Sequence, residues 1–205
     1  MKQILFVLVV LTLIFSACDT VTDPVSNPDS LKKSDWSPNN QSGNAIRISI
    51  IPLPEKSPIY LDSVFTITQT INGLIGGTIT LDKAYVSKEG RLVTILVSMV
   101  VPPLAFLGQR DITVTIEDSI AVMDCGPSMT FQRSLICLQT FTGLDLSDYN
   151  TEDIDFMYVY DDGRYTPVPR SSLLINKPLG LVSVINARIN HFSKYGWVRK
   201  SGNSN

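Results

Sequence analysis

The stretch that decides the fold is RLVTILVSMVVPPLAF, residues 91–106, the longest apolar run beyond the N-terminal segment. Side chains on a β-strand alternate between two faces, so every second residue shares a face. One face of this run is wholly apolar and comprises Val93, Ile95, Val97, Met99 and Val101. The other face carries Leu92, Leu96 and Val100, with Thr94 and Ser98 between them. The pattern predicts a strand buried on both faces or nearly so, which ends at Pro102-Pro103 because proline donates no ladder hydrogen bond.

The composition indicates a folded chain with no nucleic-acid partner. Of the 205 residues, 44% are hydrophobic and 18% are charged, which is typical of a chain that folds rather than stays disordered. The net charge is -2, and no basic block or interleaving of aromatics with Lys and Arg is present. One histidine and three cysteines are too few for the usual His/Cys metal sites, so we expect no metal and no cofactor.

The N-terminus has the organisation of an export signal. Lys2 precedes an apolar run over residues 4–15, shorter than the roughly 20 residues that a membrane-spanning helix needs. Ser16-Ala17 stands directly before Cys18 and resembles the lipobox of bacterial lipoproteins, with Phe15 in place of the usual leucine. The resemblance implies that residues 1–17 are a signal peptide and that Cys18 is lipidated, which attaches the protein to a membrane of the bacterial cell envelope with its domain outside the cytoplasm. The alternative is a cleaved signal followed by a chance cysteine.

The rest of the chain divides by composition into a tether, one domain and a tail. Residues 18–43 are rich in Asp, Ser, Pro and Asn and predict a flexible tether. Residues 44–200 alternate strand-like runs with turn signals, which predicts an all-β domain, a single antiparallel β-sandwich. Within it, Asp-Gly at residues 162–163 predicts a hairpin turn. Residues 201–205 are expected to form a disordered tail. The predicted strands cover residues 46–50, 64–71, 78–81, 91–101, 112–117, 120–123, 135–141, 154–160, 171–175, 181–189 and 195–199.

Three pieces of the sequence, in order, resemble one family. The first piece begins at Gly76-Gly77 and ends at Val101-Pro102-Pro103. The second piece is the strand over residues 110–116. The third piece begins at Cys125-Gly126-Pro127. Together they resemble the β-sandwich domain shared by zonula-occludens scaffolds, Unc-type netrin receptors and ankyrins. The resemblance covers about residues 76–144, and Leu104 replaces the family's usual glycine. It implies an interaction module without small-molecule catalysis, whose partner is an unknown protein or envelope component.

One motif near the C-terminus suggests a specific chemistry. His191-Phe192-Ser193, followed by Lys-Tyr-Gly, resembles the self-cleavage site of an autoproteolytic nucleoporin and of a self-cutting death-domain adaptor. The resemblance implies an N-to-O acyl shift in which Ser193 Oγ attacks the Phe192 carbonyl and His191 acts as general base. The structural alternative is that the motif begins the last strand, with Phe192 as a core anchor and Tyr195 and Trp197 as packing residues.

The other candidate sites leave alternatives open. Cys125 and Cys137 could form a disulfide in an exported compartment, or stay reduced as in the cytosolic members of the family. The acidic residues between 145 and 155 could hold calcium through their oxygens or could form an ordinary acidic loop. Tyr158, Tyr160 and Tyr165 could bind carbohydrate if they formed an exposed row. Alternation places Ile154, Phe156, Tyr158 and Tyr160 on one face, which favours burial of that face instead.

These observations lead to one expected function and two alternatives. We expect a lipid-anchored cell-envelope protein that carries a β-sandwich interaction module and is not an enzyme. The first alternative is the same scaffold cutting itself once between Phe192 and Ser193. The second is a sandwich that binds a surface or a carbohydrate.

Overall fold

The computed structural model describes residues 47–59 and 64–201, which form an all-β sandwich of two antiparallel sheets. The chain divides into the units Met1–Gly43 and Asn44–Asn205, and every described residue lies in the second. The predicted signal peptide, Cys18, the tether and residues 202–205 of the predicted tail lie outside the described residues. Within the described part, no helix is long and apolar enough to span a bilayer.

Twelve strands make up the two sheets of the described residues. In chain order they are β1 Arg47–Ile50, β2 Phe65–Asn72, β3 Gly77–Val86, β4 Leu92–Val101, β5 Gln109–Ile116, β6 Val122–Gly126, β7 Thr130–Thr142, β8 Ile154–Val159, β9 Tyr165–Pro167, β10 Ser172–Asn176, β11 Leu181–His191 and β12 Lys194–Ser201. The first sheet has the order β2-β5-β6-β12-β8-β9, with β1 also paired to β12. The second sheet has the order β10-β11-β7-β4-β3. Two short 3-10 turns, Thr151–Asp153 and Lys177–Leu179, precede β8 and β11.

Strand β4 lies inside the second sheet between β3 and β7, as its apolar content predicts. Its inward residues, from Val93 to Val101, are at most 1% exposed and pack in the core between the sheets. The prediction that its other face is also buried was wrong. Leu92 and Val100 are 59% and 45% exposed, because β4 belongs to the outer surface of a two-layer sandwich. A strand in a two-layer sandwich turns only one side toward the core. The alternation of apolar residues does not show whether another layer covers its other side.

The double glycine at residues 76–77 has a packing reason. Gly76 has a φ of +83°, and a Cβ there would lie 2.4 Å from the carbonyl oxygen of Val101. A Cβ on Gly77 would lie 2.9 Å from a methyl carbon of Ile71. The turn from β2 into β3 against the end of β4 therefore requires glycine at residue 76, where a side chain would meet backbone atoms, whereas a Cβ on Gly77 would displace only the end of the Ile71 side chain.

The predicted Asp-Gly turn is confirmed as the connection between β8 and β9. Gly163 has a φ of +80°, and the Tyr160 N–H donates to the Arg164 carbonyl at 2.9 Å. Strand β9, with three residues, was missed because it is too short to show alternation. The β6 segment begins and ends later than predicted, since Cys125-Gly126 pairs with β5 instead of forming the turn itself.

Candidate functional site

The His-Phe-Ser motif forms the crossover between the two sheets. His191 is the last residue of β11 in the second sheet, and Lys194 is the first residue of β12 in the first sheet. Phe192 and Ser193 therefore carry the chain from the second sheet to the first. Strand β12 is then held on both sides, by β8 on one and by β6 and β1 on the other. A cut after Phe192 would leave the C-terminal strand in place through these ladders.

Phe192 is a core anchor. Its side chain is 1% exposed, and its ring meets that of Phe131 edge-on with centroids 4.7 Å apart. Its N–H donates to the Met129 carbonyl at 2.8 Å. One residue later, the Ser193 carbonyl accepts from the Cys125 N–H at 3.0 Å. The Phe192–Ser193 peptide is thus fixed at both ends, which restricts the rotation that the crossover would otherwise allow.

Tyr158 lies between the two residues predicted to be catalytic. The Ser193 hydroxyl donates to the Tyr158 hydroxyl oxygen at 3.2 Å. The His191 ring packs edge-on against the Tyr158 ring, with centroids 4.8 Å apart and an interplanar angle of 80°. His191 and Ser193 share no hydrogen bond in the described part of the chain. Sequence reasoning missed this role of Tyr158 because it depends on the register that pairs Tyr158 with Tyr195 across β8 and β12.

The surroundings of His191 favour its neutral form. Partial burial lowers the pKa of the His191 imidazole below its ordinary value, which favours the uncharged ring that can accept a proton. The Tyr195 hydroxyl donates to the His191 carbonyl at 2.7 Å and holds the backbone there. Burial raises the pKa of the Tyr195 hydroxyl, which keeps it a donor. The crossover therefore brings the Ser193 hydroxyl and the His191 imidazole into contact with the same tyrosine, Tyr158.

Cys125 and Cys137 are buried free thiols in the structure, not the disulfide that we considered. They are 3% and 0% exposed and lie on β6 and β7, strands of different sheets. Burial raises the pKa of Cys125 well above its ordinary value, and the neighbouring Cys137 raises it further. Burial alone raises the pKa of Cys137 to about 12. Both side chains therefore act as protonated, apolar packing groups.

The three tyrosines considered for carbohydrate binding do not form an exposed row. Tyr158, Tyr160 and Tyr165 are all half-buried. The rings of Tyr158 and Tyr160 meet edge-on with centroids 4.1 Å apart, and the Arg164 guanidinium lies 4.7 Å from the Tyr160 centroid. Aromatic faces occupied by neighbouring side chains are not available to stack on a sugar.

The acidic stretch supplies a buried ion pair rather than a metal site. Asp155 is 7% exposed, and its two carboxylate oxygens lie 2.5 Å from an Arg170 nitrogen and 2.6 Å from Lys200 Nζ. The same carboxylate accepts the Phe156 N–H at 2.8 Å. Among the described residues, no group of three or more His, Cys, Asp or Glu side chains is placed to hold a metal ion.

A neutral face lies over β4 and β7 on the outer side of the second sheet, flanked by Asp82 on β3 and Arg188 on β11. It consists of Thr94, Leu96, Ser98 and Val100 on β4 and of their cross-strand partners Thr142, Thr140, Leu138 and Ile136 on β7. Val100 is exposed and the other seven residues are half-buried. The hydroxyls of Thr94 and Thr142 bond to each other at 2.6 Å, so the polar groups of this pair are already satisfied. None of these eight residues carries a charge, so removing water from this surface costs little free energy.

The fold defines the protein as a two-sheet, all-β sandwich. No protein-family model, no curated protein and no solved structure matches the chain.

Proposed function

We propose that this protein is a lipid-anchored component of the bacterial cell envelope whose β-sandwich is an interaction module. The observation that carries the proposal is the neutral face. Protein-binding surfaces are depleted of charge at their centre, and exposed aliphatic side chains supply the area that gains free energy when water is excluded. The apolar run of residues 4–15 with the lipobox-like Ser16-Ala17-Cys18 supports the anchor.

A photo-crosslinking side chain placed at Val100 tests both parts of this proposal in intact cells. We expect a discrete adduct with one envelope partner in the membrane fraction. Leu138→Lys places a charge next to Ser98 at the centre of the neutral face, so it should remove the adduct and leave the protein in the membrane fraction. Cys18→Ser removes the acylation site, so it should release the protein from the membrane fraction.

The control is the same crosslinker at Asp162, in the exposed turn between β8 and β9, where we expect no adduct. An adduct that persists in Leu138→Lys would show that the neutral face is not the binding surface. A Cys18→Ser protein that stays with the membrane would show that Cys18 is not the anchor.

We propose self-cleavage between Phe192 and Ser193 as a second candidate function, supported by the His191-Phe192-Ser193 motif and by its position between β11 and β12. Ser193 Oγ would attack the Phe192 carbonyl carbon and give its proton to the His191 imidazole. The peptide C–N bond then breaks as the ester bond to Oγ forms, and the freed Ser193 amine takes the proton from His191. Water hydrolyses the ester, which yields the Phe192 carboxylate and restores the Ser193 hydroxyl. Because Ser193 donates to Tyr158 in the structure, its side chain must first rotate away from that bond.

Intact mass under denaturing conditions checks self-cleavage, and denaturation is needed because β12 stays paired after a cut. We expect the full chain to release a peptide of residues 193–205, and Ser193→Ala to abolish the release. Tyr158→Phe removes the competing hydrogen-bond acceptor and should speed release, whereas His191→Gln should slow it. One uncut mass in both the unmodified chain and Tyr158→Phe would overturn this function.

A further inference from the structure

Strand β2 leaves one edge of the first sheet open for pairing. It pairs with β5 through eight consecutive residue pairs, from Phe65 with Ile116 to Asn72 with Gln109, without a bulge. No other strand among residues 47–59 and 64–201 pairs with it. In an antiparallel ladder, alternate residues turn their N–H and C=O groups away from the neighbouring strand. The outer side of β2 is therefore a row of backbone donors and acceptors that can receive another strand.

β3, β9 and β10, the other strands at the ends of the two sheets, carry features that discourage pairing, whereas the sequence of β2 carries none. The Lys56 ammonium lies 4.1 Å from the Phe65 ring centroid, at one end of β2. β3 exposes the charges of Asp82 and Lys83 at its middle. β9 has three residues and ends in Pro167, and β10 has five residues. β2 has eight residues with the sequence FTITQTIN, which contains no charge and no proline. Soluble proteins usually protect an edge of this length with charge, proline or a bulge, so its neutrality points to use as an interface.

The side chains of β2 match a second copy of the same strand. We propose that β2 pairs antiparallel with β2 of a second chain about a two-fold axis, which joins the two first sheets into one continuous sheet. The register that sets Thr68 opposite Thr68 also sets Thr66 opposite Thr70 on the outer face. On the inner face the same register sets Phe65 opposite Ile71 at each end of the interface and Ile67 opposite Gln69 on either side of the axis.

The hydroxyl pairs already present on the outer face show how this interface continues the sheet. Thr66 and Thr68 of β2 share hydrogen bonds with Thr115 and Thr113 of β5, at 3.2 and 2.9 Å. Pairing β2 with its copy extends the threonine rows by one strand and opposes no charges. A second copy of β2 fits because Thr66 and Thr70 are placed symmetrically about Thr68. The spacing of the threonines is therefore the same in the antiparallel direction.

Charge substitutions at Thr68 test this dimer, because the two copies of that residue meet at the two-fold axis. Native mass spectrometry of the full chain in mild detergent should show a dimer. Thr68→Lys and Thr68→Glu should each lower the dimer population by about tenfold or more, since each opposes like charges across the new ladder. Mixing the two variants should restore a dimer that contains one chain of each.

Thr80→Lys, at an exposed position of β3 on the other sheet, is the matched control and should leave the dimer intact. The restored mixed dimer excludes misfolding as the reason for the losses in the single variants. A monomeric full chain at about 100 μM, well above the Kd of a micromolar interface, would overturn the proposal. So would a dimer that survives Thr68→Lys, or a mixture of the two variants that stays monomeric.

Discussion

Replacing Asp155 with asparagine is expected to lower the free energy of unfolding by about 3 kcal/mol, near the lower end of the loss for breaking a buried ion pair. The carboxylate is 7% exposed and neutralises both Arg170 and Lys200, whose side chains are 22% and 35% exposed. Asparagine keeps the size of the side chain but leaves two cations without their counter-charge. Arg170 also donates to the carbonyls of Phe156 and Val168, so it cannot move out to water without losing those bonds. Urea denaturation followed by circular dichroism measures the change.

Asp161→Asn is the matched control for this variant. Asp161 pairs with Lys194 at 3.1 Å, but its side chain is 90% exposed. Exposed ion pairs contribute about 0–1 kcal/mol to the free energy of unfolding, because water stabilises each charge nearly as well as the opposite charge does. Equal losses for the two variants would contradict the assignment of Asp155 as the charge that ties β8 to β12 and to the segment after β9.

Phe192→Ala is expected to lower the free energy of unfolding by about 3–5 kcal/mol, the usual cost of removing a buried aromatic ring. The ring is 1% exposed and packs edge-on against Phe131. Its removal opens a cavity where the chain crosses between the sheets, and the backbone bond to Met129 limits how far the crossover can collapse into it. The same urea experiment measures this loss.

Ser193→Ala separates the structural role of the motif from its chemical role. It removes one partly exposed hydrogen bond to Tyr158, so we expect a stability change within about 1 kcal/mol. A large loss from Ser193→Ala with a small one from Phe192→Ala would mean that the serine, not the phenylalanine, anchors the crossover. If Ser193→Ala leaves stability unchanged and stops peptide release, the serine acts in chemistry alone.

Much of the fold could be predicted because alternation records which side of a strand faces a core. The inward residues of β4 are all buried, as predicted, and so are Ile154 and Phe156 of β8. The same reasoning failed at two places in the chain. It missed β9, which is too short to alternate, and it overestimated the burial of the outer side of β4.

The candidate site was only partly accessible to sequence reasoning. The motif identified His191 and Ser193, and its structural alternative made Phe192 a core anchor and Tyr195 and Trp197 packing residues. The structure places all three of these aromatics at 2% exposure or less. It also inserts Tyr158 between His191 and Ser193, a contact with a residue more than thirty positions earlier in the chain.

The sequence by itself determined most of the strands and their inward faces, because these depend on neighbours along the chain. Tertiary structure alone decided which strands became edges, which apolar face was left in solvent and which charges met. The open side of β2, the neutral face and the Asp155 ion pairs all arise from strand order and register. Strand order and register are set by contacts between residues far apart in the chain, and the local pattern of side chains carries little information about them.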